Sequence, residues 1–172
     1  MTRRLLCPVL SLLWACSAAL PAIATTNASS EVYVARVSRV FDGDTVWVQP
    51  LDGGRYRKLR IDGIDAPEIC QAGGTASRDA LAGRVMDQMV TVSVRQHDDY
   101  GRGLAKLTHQ GADVAAWMVL QGHAWSYRWR RSLGPYREQE EMARRASKGL
   151  FADGTAELPR AFRQRHGPCM LP

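Results

Sequence analysis

Asp42-Gly43-Asp44-Thr45 and Arg60-Ile61-Asp62-Gly63-Ile64-Asp65-Ala66-Pro67-Glu68 gather carboxylates and a guanidinium into one stretch of the chain. Acids of this kind hold a hard divalent cation through oxygen, and an arginine clamps a phosphate with a two-pronged fork. Together they point to metal-assisted chemistry on a phosphodiester. Taken singly, each residue has a plainer reading. Asp42-Gly43 is a common turn. Arg60 alternates with Leu59 and Ile61, so it shares a strand face with Asp62, and an Arg60–Asp62 ion pair accounts for both. Asp65 suits the turn before Pro67, and Glu68 suits a loop. Asp44 resists such an account, because it lies on the same strand face as Val46 and Val48. If those valines face a core, an acid beside them needs a positive partner.

Such residues act together only if strand ends and turns converge. Residues 31–41 read as a strand closed by Asp42-Gly43, 44–49 as a second and 55–62 as a third, with a turn at 50–54: a meander. A Gly- and Pro-rich loop, 63–74, precedes a helix predicted over 75–89, with Thr75 as its N-cap and Ala80, Leu81, Val85 and Met89 along one side. Val90, Val92 and Val94 alternate with Thr91, Ser93 and Arg95 in a fourth strand, 90–96. A turn at 97–102 leads to a fifth strand, 103–109, and a helix at 113–121. Pro135 suits the first position of a third helix, which carries Glu140/Arg144 and Glu141/Arg145 four residues apart and ends by Gly149. Residues 150–172 read as irregular, with Phe151 and Phe162 as anchors. Five short strands with about three helices predict an α+β fold, a β-barrel with helices of the five-stranded OB-fold type.

With 172 residues, 45% of them hydrophobic, the chain suits one domain with one core. A net charge of +6 favours a polyanionic partner. Arg3 and Arg4, the apolar run 5–20 and Ala22-Ile23-Ala24 read as a signal peptide, 1–24. A flexible leader, 25–30, a domain, 31–152, and a tail, 153–172, follow, and export to the periplasm or medium is expected. Leu13-Trp14-Ala15-Cys16 offers lipid anchoring at Cys16 as the alternative, although Trp14 fits that pattern badly. Cleavage after Ala24 leaves Cys70 and Cys169, which in an exported protein more often form a disulfide than remain two thiols. His97, His109, His123 and His166 are scattered without zinc spacing.

A third motif, Tyr100-Gly101-Arg102-Gly103-Leu104-Ala105, follows the first two at a spacing that resembles the staphylococcal (micrococcal) nuclease family over roughly 32–151. The resemblance implies an OB-fold barrel and a Ca²⁺-dependent nuclease hydrolysing DNA and RNA to leave 3′-phosphate ends. It further implies that Asp44, Asp65 and the backbone carbonyl of Ala66 bind Ca²⁺, Ala66 standing where the family usually has Thr. Asp42 would stand behind them and orient water at the ion. Glu68 would be the general base, and Arg60 and Arg102 would grip the scissile phosphate. Tyr100, with Tyr127 and Trp129 on the floor of a base pocket, would contact substrate, the latter two interleaved with Arg128, Arg130 and Arg131.

One departure is Asp99, where the family's type member has a lysine before the tyrosine, so the neighbouring phosphate loses a cation. The competing reading is a non-catalytic OB module that binds nucleic acid; a structural cell-envelope protein is a third. The acids and arginines that such modules lose are all present here. The expected state is a monomer with no stable protein partner and no transmembrane span.

Overall fold

The computed structural model describes residues 31–167 and Cys169, so the predicted signal peptide, the leader and the Cys16 lipidation site lie outside the described residues. β1 (Glu31–Val40) pairs antiparallel with β2 (Thr45–Pro50), and β2 with β3 (Arg57–Ile61), which is the expected meander. A two-residue strand, β4 (Ile64–Asp65), precedes α1 (Gly74–Val85). There follow β5 (Met89–His97), β6 (Gly103–His109), β7 (Ala112–Asp113), α2 (Val114–Leu120) and β8 (Trp125–Ser126). The chain ends in α3 (Arg137–Arg145), a 3₁₀ turn at Gly149–Phe151 and α4 (Pro159–His166). The strands run in the order β3-β2-β1-β5-β6-β7, and a parallel pairing of β3 with β6 closes the five longer ones into a barrel. Closure removes the exposed edges that an open sheet of this size would carry. β4 pairs with β8, setting Asp65 opposite Trp125.

Strict alternation explains the barrel interior. Val46, Val48, Leu59, Ile61, Val90, Val92 and Leu107 are buried, while Trp47, Lys58 and Thr91 between them are not. Leu81 and Val85 of α1 and Met118 and Val119 of α2 close the barrel's open end. Each fully buried aliphatic side chain contributes about 1.5–3 kcal/mol. Outside the barrel, Trp125 packs edge-on against Phe151 with ring centroids 6.1 Å apart, fastening α3 to the body. Buried Glu140 is neutralised by Arg128 and Arg144 and accepts the Ser126 N–H, so the expected Glu140–Arg144 pair is present.

Three expectations are corrected. Thr75 does not cap α1: Gly73 does, in a left-handed conformation (φ 84°), and the Gly74 N–H donates to the Gln71 carbonyl. Nor does α3 start at Pro135, because the Tyr136 N–H donates to Ser126 Oγ and the Tyr136 hydroxyl to Asp113, and these bonds hold Tyr136 outside the helix. The tail is not irregular, since Pro159 at the first turn opens α4.

Gly43 fixes how the first turn meets α1. A Cβ there would lie 1.8 Å from Ser77 Oγ and 2.7 Å from Ala66 Cβ. Ser77 cannot swing aside freely, because its hydroxyl donates to the His123 carbonyl at 2.6 Å. Gly43→Ala is therefore expected to destabilise the protein by about 1–3 kcal/mol, as overpacking does, read as a lowered midpoint in thermal unfolding.

Candidate active site

The β1–β2 turn, the end of β3 and β4 bring the acids together at one rim of the barrel. Asp42 Oδ1 accepts the Asp44 N–H at 2.9 Å, which closes the turn and aims Asp44 inward beside Val46. The Asp44 carbonyl accepts the Ile61 N–H at 2.7 Å, tying this turn to the end of β3. Asp44 is 2% and Asp65 7% exposed, so both are acids that demand partners. Arg60, opposite Thr45 in the β2–β3 ladder, is that partner. Its Nη1 donates to Asp44 Oδ1 at 3.0 Å and its Nη2 to Asp65 Oδ1 at 2.9 Å. The Ala66 N–H donates to Asp44 Oδ2 at 3.1 Å, so β4 is locked onto the first turn.

The Arg60–Asp62 pair considered from spacing is absent. Asp62 instead receives Arg95 of β5 at 3.0 Å. Asp62 shares the outer face with Arg60, but the end of β3 lets Arg60 reach back over the rim, where two buried charges outbid one half-exposed one.

Glu68 stands in the loop after β4, and Arg163 Nη1 donates to its Oε1 at 2.6 Å. Arg163 also lies 3.5 Å from both Asp65 carboxylate oxygens. Sequence reasoning missed this third arginine, because it lies 98 residues from Asp65 in a segment without an apolar stripe. The only signal was Leu158-Pro159 as a helix start. Cys70 and Cys169 form the expected disulfide, with Cα atoms 5.8 Å apart. It ties the end of the α4 segment to the loop after Glu68.

Arg102 lines the same cleft from the β5–β6 turn. Gly101 takes a left-handed φ of 74° in the β5–β6 turn, as its sequence predicts. Gly103 serves the barrel rather than a ligand, since a Cβ there would press on Leu59 at 3.0 Å where β6 meets β3. Asp98 accepts Arg102 Nε at 2.8 Å. Against the desolvation that opposes it, hydrogen bonds from Arg102 hold the Asp98 carboxyl below its ordinary range. The cleft measures about 1090 Å³ and is lined by Asp44, Arg60, Glu68, Arg102, Tyr100, Tyr127 and Trp129 among others. Tyr100, Tyr127 and Trp129 are 85%, 40% and 60% exposed, open to a ligand rather than packed. Arg128, which interleaves with them in sequence, is instead committed to Glu140.

Charge balance marks the acid cluster. Burial, and then the Asp44 carboxylate, push the Asp42 carboxyl up to about 7. Burial also raises Asp65, with Arg163 opposing, and the neighbouring Asp44 holds Arg60 more firmly protonated against its own desolvation. Among the described residues no group of three or more His, Cys, Asp or Glu side chains could hold an ion by itself. Two converging hard carboxylates do fit Ca²⁺, which completes six to eight oxygen ligands from backbone carbonyls and water. Such an ion would have to share these carboxylates with Arg60 or displace it.

The raised Asp42 makes a signed prediction. Its neutral form is favoured in the fold, so its contribution to stability is greatest below about pH 4 and is lost as pH rises through about 7. Asp42→Asn, in chelator, should gain thermal stability over wild type as pH goes from 4 to 8. A stability difference that stays flat across that range would contradict it.

A closed five-stranded barrel with a polar cleft where acids and arginines converge defines an α+β protein of the OB-fold class. The family model described as Staphylococcal nuclease homologue matches residues 58–153. A protein of Shigella flexneri named Micrococcal nuclease is 36% identical over 139 residues, covering 74% of this chain and 79% of that protein. An Uncharacterized endonuclease of Haemophilus influenzae is 33% identical over 137 residues, covering 80% of this chain and 76% of that one. Protein ParB of Escherichia coli is 38% identical over 143 residues, covering 74% and 77%. The chain belongs to the staphylococcal nuclease family, whose class is that of nucleases, hydrolases of phosphodiester bonds. Among the described residues no helix is long and apolar enough to cross a membrane.

Proposed function

We propose that the protein is an exported, monomeric, Ca²⁺-dependent nuclease that cleaves DNA and RNA to leave 3′-phosphate ends. The observation that carries this reading is the convergence of Asp44 and Asp65 on one guanidinium, with Glu68 beside them in the same cleft. Asp44, Asp65 and the Ala66 carbonyl are the residues that would hold the ion, with Asp42 bracing Asp44 through its backbone. When bound, Ca²⁺ supplies positive charge against the phosphate oxygens as they become more negative.

The chain's own groups do the rest. Glu68 takes the proton of the attacking water as its oxygen bonds to phosphorus. The P–O5′ bond breaks, the departing 5′ oxygen takes up a proton, and a 5′-hydroxyl and a 3′-phosphate remain. Arg60 and Arg102, which line the same cleft, donate to the phosphate oxygens and are worth more as charge accumulates there. Tyr100, Tyr127 and Trp129 offer exposed ring faces to the flanking sugars and bases. Trp125 takes no part, being buried against Phe151. Export is supported by the predicted signal peptide and by the Cys70–Cys169 disulfide.

Incubation of the purified protein with plasmid DNA and with RNA tests this reading. Cleavage is expected with Ca²⁺, is abolished by chelator and returns on resupply. End labelling should find 3′-phosphates. Binding without cleavage at saturating Ca²⁺ would favour the non-catalytic module instead.

A further inference from the structure

The segment after residue 153 lies beyond the family match, yet it reaches the candidate base directly through Arg163 and the loop around it through Gln71 and Cys70. Arg163 donates to the Glu68 carboxylate at 2.6 Å. The Glu68 N–H donates to Gln71 Oε1 at 3.1 Å, and Gln71 Nε2 in turn donates to the Glu157 carbonyl at 2.6 Å, so the tail also secures the Glu68 backbone. Arg165 of α4 pairs with Glu157, which lies just before that helix. The Cys70–Cys169 disulfide spans 99 residues and closes the arrangement, with the Cys70 N–H donating to Cys169 Sγ at 3.1 Å.

Geometry shows what this bracing does. Glu68 lies in the loop between β4 and α1, and a carboxylate on a loop samples several rotamers unless something fixes it. Arg163 takes Oε1 of Glu68, and among the described residues nothing bonds Oε2, which can meet a water. α4 is short and strongly polar and buries only Pro159, so its own packing is a weak anchor. The disulfide supplies the restraint that packing does not. Gln71 is buried and cannot be replaced in this chain of contacts by solvent.

We propose that Arg163 is a positioning residue for Glu68, held in place by α4 and the Cys70–Cys169 disulfide, so that the disulfide is a determinant of catalysis and not only of stability. This rests on the reading of Glu68 as the base. It makes the C-terminal segment a working part of the active site, and it makes activity sensitive to thiol reductants.

Steady-state kinetics on a fluorogenic oligonucleotide with Ca²⁺, together with amide hydrogen exchange in the metal-free protein, test it. Arg163→Ala should lower kcat on the order of 10- to 10²-fold with little change in KM, the cost of a misplaced catalytic group. Arg163→Lys should recover part of the loss. Cys70→Ser/Cys169→Ser should lower kcat similarly and add little on top of Arg163→Ala, as expected of groups acting through one contact. In both variants the Gln71 amide, which donates to the Glu68 carbonyl, should exchange faster than in wild type. Unchanged kcat in Arg163→Ala overturns the proposal, and so does a rise in KM alone, which would make Arg163 a substrate contact. A rise in kcat also overturns it, because Arg163 would then be a lock. If wild type cleaves nothing, the nuclease reading fails, and the exchange comparison still decides whether Arg163 braces Glu68.

Discussion

Glu68→Gln is expected to lower kcat by about 10²–10⁴-fold, the usual worth of a positioned base, with KM and thermal stability close to wild type. The amide keeps the shape of the side chain, and its oxygen still accepts from Arg163, so the brace seen at 2.6 Å survives in outline. What is lost is the capacity to take a proton. The Glu68 side chain is partly open to solvent, at 23% relative exposure, so no buried charge is stranded by the change. Single-turnover measurements at saturating substrate separate this effect from product release. Wild-type turnover in Glu68→Gln would remove Glu68 from the mechanism while leaving the fold and the family membership untouched.

Arg60→Ala should damage rate and stability together. Removing one preorganised donor to the phosphate costs on the order of 10²–10³ in kcat. Arg60 also neutralises Asp44 and Asp65, whose side chains are 4% and 10% exposed. Breaking a buried pair by deleting one partner costs about 3–5 kcal/mol, so the metal-free variant should unfold at a clearly lower temperature. Ca²⁺ should then stabilise Arg60→Ala more than wild type, because the ion no longer competes with the guanidinium for the same oxygens. Arg102→Ala is the contrast. Its partner Asp98 lies in a surface turn, so the rate should fall by a similar factor with little loss of stability. Thermal unfolding with chelator and with Ca²⁺ reads both halves. Equal Ca²⁺ stabilisation of Arg60→Ala and wild type would mean that ion and guanidinium do not share Asp44 and Asp65.

Much of the site was legible because strand alternation is a local rule. Val46 and Val48 fix the inward face of β2, so Asp44 had to be an acid at the rim of the core, and it is. The β1–β2 turn, the Gly101 turn and the β5 alternation are equally local, and each falls within a residue or two of its expected place. Helix starts were less legible. Thr75 and Pro135 are sound local signals, but a left-handed Gly73 and the hydrogen bonds of Tyr136 overrode them.

The sequence by itself determined which residue types stand at which strand ends, and hence that acids, arginines and exposed aromatics would share one cleft. Only the tertiary structure decided who pairs with whom. Arg60 has Asp62 as its near neighbour in sequence and on its strand face, yet it binds Asp44 and Asp65, because the β2–β3 ladder and the docking of β4 on the first turn bring two buried carboxylates within its reach. Arg163 meets Glu68 across 95 residues, in a tail that a disulfide ties to the loop after Glu68. Alternation is set by each residue's own backbone geometry, whereas charge pairing depends on distances that exist only once the chain has closed on itself.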